Sequence, residues 1–212
     1  GLSDNNEGLM ELASDAPVGA DIRDYLSLDD VIIDLDLTPN RSDCLSILGL
    51  ARETGLLNSM DVEIPTLLET SEVIDDTFPV ELRPGDGCPR FAGRVIRNVD
   101  VSADSPIWMR EKLRRAGIRS IDPVVDITNY VMLELGQPLH AYDLEKLSGK
   151  LLVRRSLDGE QCTLLDGSDL SLINDTLVIA DDTGPIALAG VMGGLSTAVT
   201  TETRHIFFEA AF

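Results

Sequence analysis

Two side chains stand in settings where their chemistry matters. Glu209 interrupts an apolar run, Ile206-Phe207-Phe208-Glu209-Ala210-Ala211-Phe212. A carboxylate buried there without a partner is costly, and when ionised it can only accept hydrogen bonds. The residue pattern alone fits equally a strand carboxylate that faces solvent or pairs with an arginine. His140 follows Gly136-Gln137-Pro138-Leu139 and reads as a loop histidine just past a helix end. Histidine at such a place could orient a water or act as a general base near neutral pH, or be merely structural. The other histidine, His205, lies in no motif and is read as structural. There is no Ser-His-Asp order. Cys44, Cys88 and Cys162 are odd in number and far apart, which argues against a disulfide framework or a zinc site and fits a reducing, cytoplasmic setting. Ala189-Gly190-Val191-Met192-Gly193-Gly194 lacks the Lys-Ser/Thr of a P-loop and is not a dinucleotide fingerprint. Its glycines would let backbone approach a ligand closely, although Gly190 reads equally well as a turn residue.

The net charge is −20 over 212 residues, so the chain is a poor general nucleic-acid binder. Any RNA contact must be local. Arg110, Lys112, Arg114, Arg115 and Arg119 form the one dense basic segment, offset only by Glu111. It could face RNA, or it could pair with the acidic residues of a neighbouring domain. No apolar run approaches the roughly 20 residues of a membrane helix, and the polar, acidic N-terminus has no signal-peptide pattern. A chain that starts without Met and stops inside an apolar stretch is expected to be part of a longer polypeptide.

The elements that must position these residues follow from periodicity and punctuation. Residues 1–27 read as a linker or the tail of a preceding domain. Residues 28–37 alternate around Val31, Ile33 and Leu35. After Pro39, Asn40 or Ser42 can cap a helix that carries Leu45 to Leu57 and stops near Asn58. Pro65 and the acidic stretch 69–76 form a second linker. Arg90–Val99 alternates as a strand. Ser105-Pro106 and Asp122-Pro123 each open a helix, with the first residue as cap, and these helices end at Gly117 and Gly136. Short strands then recur at 151–155, 162–165, 176–180, 186–189 and 205–209, broken by Asp158-Gly159 and Asp166-Gly167. Strands, two helices and more strands make an α+β chain.

Seven segments in order resemble one family. Thr38-Pro39-Asn40-Arg41-Ser42-Asp43-Cys44-Leu45 resembles the TPNRxDxL segment of bacterial phenylalanyl-tRNA synthetase β subunits. So do 119–130 (Arg119 to Tyr130), 136–143 (Gly136 to Asp143), Leu165-Asp166-Gly167, 177–181, 189–194 and 208–212. Each is weak alone, but together they span essentially the whole chain. The resemblance implies a layout: 1–27 as the end of an OB-fold tRNA-binding insertion, 28–66 as half of a small helical B1-like domain, and 67–212 as a layered B3/B4 domain with an unusual β-sandwich. It also implies hydrolysis of Tyr wrongly attached to tRNA(Phe). The ligase site, with its ATP and Mg2+, would lie outside this chain, in an α2β2 enzyme whose α subunit is a partner. No cofactor or metal is expected in the fragment itself.

An apolar pocket rejects an added hydroxyl by about 10² at best, whereas a site that bonds the hydroxyl can reach about 10⁴–10⁵. By resemblance, Glu209 is the group that senses the Tyr hydroxyl and His140 is the editing-site histidine. Arg119, Thr128 and Asn129 also fall on editing-site positions. Arg119 would hold the terminal adenosine or its phosphate, and the other two would bond the ester or the water. Local side chain–backbone bonding is an equally good reading of Thr128-Asn129. Pro138, Gly193 and Gly194 would line the substrate. Hydrolysis by a positioned water, assisted by the terminal ribose hydroxyl, fits this residue set better than a covalent intermediate. The other class of function is a non-catalytic module that packs against the α subunit or supports tRNA.

Overall fold

The computed structural model describes residues 8–64, 66–67, 69–83 and 87–212. By its contacts the chain divides into two units, residues 1–35 and 36–212. The described part of the first unit holds one helical turn, α1 (Ile22–Tyr25), capped by Asp21, whose carboxylate accepts from the Arg23 amide. The alternating stretch from Leu28 onward forms no strand, and Val31 and Ile33 are 81% and 75% exposed. Alternation marks a strand only where a neighbouring strand takes up its backbone groups, and among the described residues no strand pairs with it.

The second unit begins with a 3-10 turn (Ser42–Cys44) and α2 (Ile47–Asn58). The cap of α2 is Ser46 rather than Asn40 or Ser42, because Arg41, Asp43 and Glu53 tie the intervening turn into an ion-pair cluster. The next elements are β1 (Val80–Leu82), β2 (Phe91–Arg97), α3 (Ile107–Arg115), α4 (Pro123–Leu135), β3 (His140–Asp143) and β4 (Leu151–Arg155). After them come β5 (Gln161–Thr163), β6 (Asp169–Ser171), β7 (Leu177–Asp181), β8 (Gly184–Leu188), β9 (Met192–Gly193) and β10 (His205–Ala211). α4 forms as its punctuation predicts. The Asp122 carboxylate accepts from the amides of Val124 and Val125, Pro123 occupies the first turn, and Gly136 closes the helix at φ +79°. α3 departs from expectation: its cap is Pro106, because the Ser105 hydroxyl donates to Asp126 instead of capping.

Among the described residues three sheets result. One has the order β1-β4-β7-β8-β9, parallel only between β1 and β4. The second is antiparallel, β2-β10-β3, and the third is the β5-β6 hairpin. Side-chain alternation sorts the layers. Val95, Tyr142 and Phe207 of the β2-β10-β3 sheet pack against Leu151, Val153, Ile179 and Ile186 of the five-stranded sheet. On the opposite face of β10, Ile206 packs with Val124 of α4. Val178, which points away from Ile179, packs with Cys162, Leu164 and Leu172 of the hairpin region. The unit is thus the expected layered α+β architecture with two sheets face to face. No helix among the described residues is long and apolar enough to cross a membrane.

Candidate functional site

His140 is not in a loop: it is the first residue of β3. The antiparallel register of β3 with β10 sets His140 directly opposite Glu209, and Tyr142 opposite Phe207. The same strand places Gly93 of β2 on the other side of Glu209. His140, Tyr142, Phe207 and Glu209 therefore share one face, turned toward the five-stranded sheet.

Glu209 is 7% exposed, and among the described residues it pairs with no arginine. The Tyr142 hydroxyl donates to its Oε2 at 2.5 Å. Burial pushes the Glu209 carboxyl up to about 7, and the bond from Tyr142 acts against that rise. The same burial, with the carboxylate beside it, raises the Tyr142 phenol well above its ordinary value. The His140 ring meets the Tyr142 ring edge-on, with centroids 4.5 Å apart. Among the described residues, His140 Nε2 is one of two buried side-chain polar atoms without a hydrogen-bond partner, the other being Thr197 Oγ1. Burial lowers the His140 pKa to about 4, so the imidazole is neutral at physiological pH.

Gly193 of β9 closes the other side of the imidazole. A Cβ at this glycine would overlap the His140 ring, and one at Gly194 would strike the Ile186 carbonyl oxygen. Gly193 thus makes room for the His140 ring, and Gly194, just past β9, is needed because its backbone lies tight against β8. Gly190, at φ +71° with open space around it, is a turn residue. Pro138 is exposed, and Gln137 Nε2 anchors its segment by donating to the Pro138 and Ala211 carbonyls.

The remaining candidates lie apart from this pair. Thr128 Oγ1 donates to the Val125 carbonyl at 2.7 Å, the local bonding weighed above, and Asn129 is half-buried one residue further along α4. α4 packs on the face of β10 opposite to Glu209. Among the described residues no hydrogen bond joins Thr128, Asn129 or Arg119 to His140 or Glu209. Arg119 is exposed. The basic segment is ion-paired locally: Arg114 and Arg115 both reach Glu111, and Arg110 reaches Asp104. Lys112 sits over the rings of Trp108 and Tyr130. His205 is structural, its Nδ1 accepting from the Asn98 amide. Ligand atoms of Asp43, Cys44 and Glu53 lie within 4.8 Å of one another, but the Arg41 guanidinium bonds all three and fills the place a cation would take.

Comparison with known proteins gives the family. The family model of the B3/4 domain matches residues 87–212. The chain belongs to the B3/4 domain family. It is 58% identical over 211 residues to the phenylalanine–tRNA ligase β subunit of Hahella chejuensis (strain KCTC 2396), a match covering 100% of this chain and 27% of the relative. It is 59% identical over 209 residues to that of Pseudomonas savastanoi pv. phaseolicola (strain 1448A / Race 6), covering 99% of this chain and 26% of the relative. The chain therefore spans about a quarter of the length of these curated relatives. The crystal structure of an N-terminal fragment of the phenylalanyl-tRNA synthetase β subunit from Pyrococcus horikoshii superposes with a TM-score of 0.51 at 14% identity, over 81% of this chain and 52% of that one. At that identity the likeness is one of fold.

Two residues of this B3/4 domain escaped the sequence reading. Tyr142 lies two residues past His140, and reading the segment as a strand would have placed both on one face. Asp126 is a carboxylate in an apolar helix, the same signal that singled out Glu209, and it is fully buried. Ser105 Oγ and Ser120 Oγ donate to its Oδ2 at 2.6 and 2.5 Å, and the Ile121 amide donates to Oδ1 at 2.9 Å. It binds the start of α3 and the segment carrying Arg119 to α4. For Gly193, alanine forces the imidazole aside. Gly193→Ala is expected to displace the His140 ring and lower the unfolding midpoint, which the NMR signals of the ring and a melting curve check.

Proposed function

We propose that this chain is the editing portion of a phenylalanine–tRNA ligase β subunit, working in the cytoplasm on the 3′ end of tRNA(Phe) and hydrolysing Tyr-tRNA(Phe). The observation that carries the reading is the cross-strand pair His140–Glu209, a buried carboxylate beside a half-buried imidazole whose Nε2 is buried and unpartnered. A scaffold has no use for two such groups facing each other in a core, where each costs free energy. In this reading Glu209 accepts the hydroxyl of the misattached tyrosine, which phenylalanine cannot offer. A phenylalanine side chain leaves the carboxylate unsatisfied and is rejected by the same desolvation that raises its pKa.

The imidazole serves as an acceptor that orients a water. With its pKa depressed to about 4 it is a weak base, so as the water attacks the ester carbonyl its proton passes through the vicinal ribose hydroxyl to the ribose oxygen that departs when the ester bond breaks. Gly193 lets the ring approach the strand without a Cβ in the way. Val191, Met192 and Leu195, all exposed beside it, offer apolar surface to an entering aromatic ring. Arg119, exposed on the segment anchored by Asp126, contacts the terminal adenosine or its phosphate, and Thr128, Asn129, Pro138 and Gly194 shape the approach of the ester. ATP and Mg2+ act at the ligase site outside this chain, in an α2β2 enzyme.

The test is deacylation of preformed Tyr-tRNA(Phe) and Phe-tRNA(Phe) by the complete enzyme carrying this chain, without ATP. Hydrolysis of the tyrosyl ester at least 10²-fold faster than that of the phenylalanyl ester is expected. Equal, background-level rates for the two esters would leave only the scaffold reading.

A further inference from the structure

Glu209 already holds a tyrosine hydroxyl, and that hydroxyl belongs to the protein. The Tyr142 ring is 0% exposed, at the centre of the core between the two sheets, against Val95, Leu151, Ile179 and Phe207. Its backbone pairs with Phe207 of β10 and, as an isolated bridge, with Ala198. The phenol thus has no route out of its place short of opening the core. It bonds one carboxylate oxygen, Oε2, and among the described residues no side chain or amide bonds Oε1.

We propose that Tyr142 is the positioning residue that sets the selectivity of this site: it occupies Oε2, fixes the plane of the Glu209 carboxylate, and presents Oε1 to a single incoming hydroxyl. This rests on Glu209 being the hydroxyl-sensing group. A carboxylate held by one internal donor lacks one further donor, and a substrate phenol supplies one where a phenyl ring does not. The internal bond also favours the ionised carboxylate, the form that is acceptor-only and selects for a donor. The titratable side chains facing Glu209 are Tyr142 and His140, both on β3. From β2 the residue opposite it is Gly93, and from β9 Gly193 lies against His140; neither titrates. Loss of the Tyr142 hydroxyl therefore acts on Glu209 directly, by raising its pKa and freeing its rotation.

The experiment compares Tyr142→Phe, Glu209→Ala and the unaltered chain in the complete enzyme, with kcat/KM for preformed Tyr-tRNA(Phe) and Phe-tRNA(Phe) measured from pH 6 to 8.5. Tyr142→Phe keeps the ring and is expected to lower the Tyr-over-Phe ratio at least fivefold at pH 7. The loss should sit mainly in KM for the tyrosyl ester. The acid limb of the profile should move to higher pH, with the ratio recovering toward pH 8.5. A residue that only fills the core would move neither the limb nor the ratio. If both stay put while Glu209→Ala abolishes selectivity, the role of Tyr142 is overturned and that of Glu209 stands. If Glu209→Ala is itself without effect, the reading of Glu209 is what fails. Should Tyr142→Phe not fold, 3-fluorotyrosine placed at position 142 alone gives a stronger donor, and the acid limb must then move to lower pH; an unmoved limb overturns the proposal.

Discussion

Glu209→Ala in the complete enzyme is expected to slow hydrolysis of Tyr-tRNA(Phe) tenfold or more while leaving attachment of Phe near its usual rate. The lost interaction is a hydrogen bond to a charged group, about 1.5–3 kcal/mol, and that energy enters kcat/KM for the tyrosyl ester alone. Deacylation at wild-type rate would end the assignment. Glu209→Gln separates charge from shape and carries a stability signature. The Glu209 carboxyl moves from 4.5 to about 7 on folding, so between those values the folded state holds the extra proton. Stability therefore falls as pH rises through that window, by roughly 3 kcal/mol for a group this buried. His140 acts in the opposite sense. Its pKa drops from 6.5 to about 4, so its contribution is present above 6.5 and is lost as pH falls toward 4. Between about 4.5 and 6.5 the two slopes cancel. In Glu209→Gln only the histidine slope remains, and unfolding free energy should rise with pH from 4 to 6.5. A denaturation series across that range gives the answer, and a flat profile in the variant would contradict the burial effect on His140.

Asp126→Ala is expected to destabilise the B3/4 unit by about 3 kcal/mol, the largest stability loss of any single substitution considered. Three donors, Ser105 Oγ, Ser120 Oγ and the Ile121 amide, converge on this fully buried carboxylate. Removing the acceptor leaves the buried Ser105 hydroxyl without its partner and cuts the ties of the half-buried Ser120 and the Ile121 amide, at about 1–3 kcal/mol for each group that stays unpaired. Partial relaxation of the two serines keeps the total at the lower end. Urea unfolding monitored at Trp108, the single tryptophan, reports on α3 directly. A midpoint within the error of the parent would show that the carboxylate is not the anchor it forms in the structure. Ser105→Ala and Ser120→Ala, each removing one donor and its partner bond together, should cost less, about 1 kcal/mol.

What could be read from the sequence was local in origin. Asp122-Pro123 and Gly136 bound α4 because cap, first-turn proline and left-handed glycine each satisfy backbone groups within a few residues of themselves. β2 announced itself by apolar alternation and β10 as a short apolar run after a turn. Glu209 stood out because a carboxylate among phenylalanines and alanines needs a reason, and the reason could be sought without coordinates. Where the decisive partner is distant, the same local rules failed. Ser105 looks like a cap until Asp126, 21 residues on, takes its hydroxyl. Segment 28–37 alternates as a strand does but finds no neighbouring strand, so its valine and isoleucines stay exposed. His140 reads as a loop residue after Gly136, since nothing within its own segment says that β10 will pair with it. The order of segments, the helix ends and the identity of the two ionisable groups are properties of the chain itself. That His140 and Glu209 face each other, and that Tyr142, 67 residues from Glu209, reaches its carboxylate, follows only from the β3-β10 register and the closure of two sheets over one core. A shift of that register by one residue would leave every residue type in place and turn the whole site to the other face.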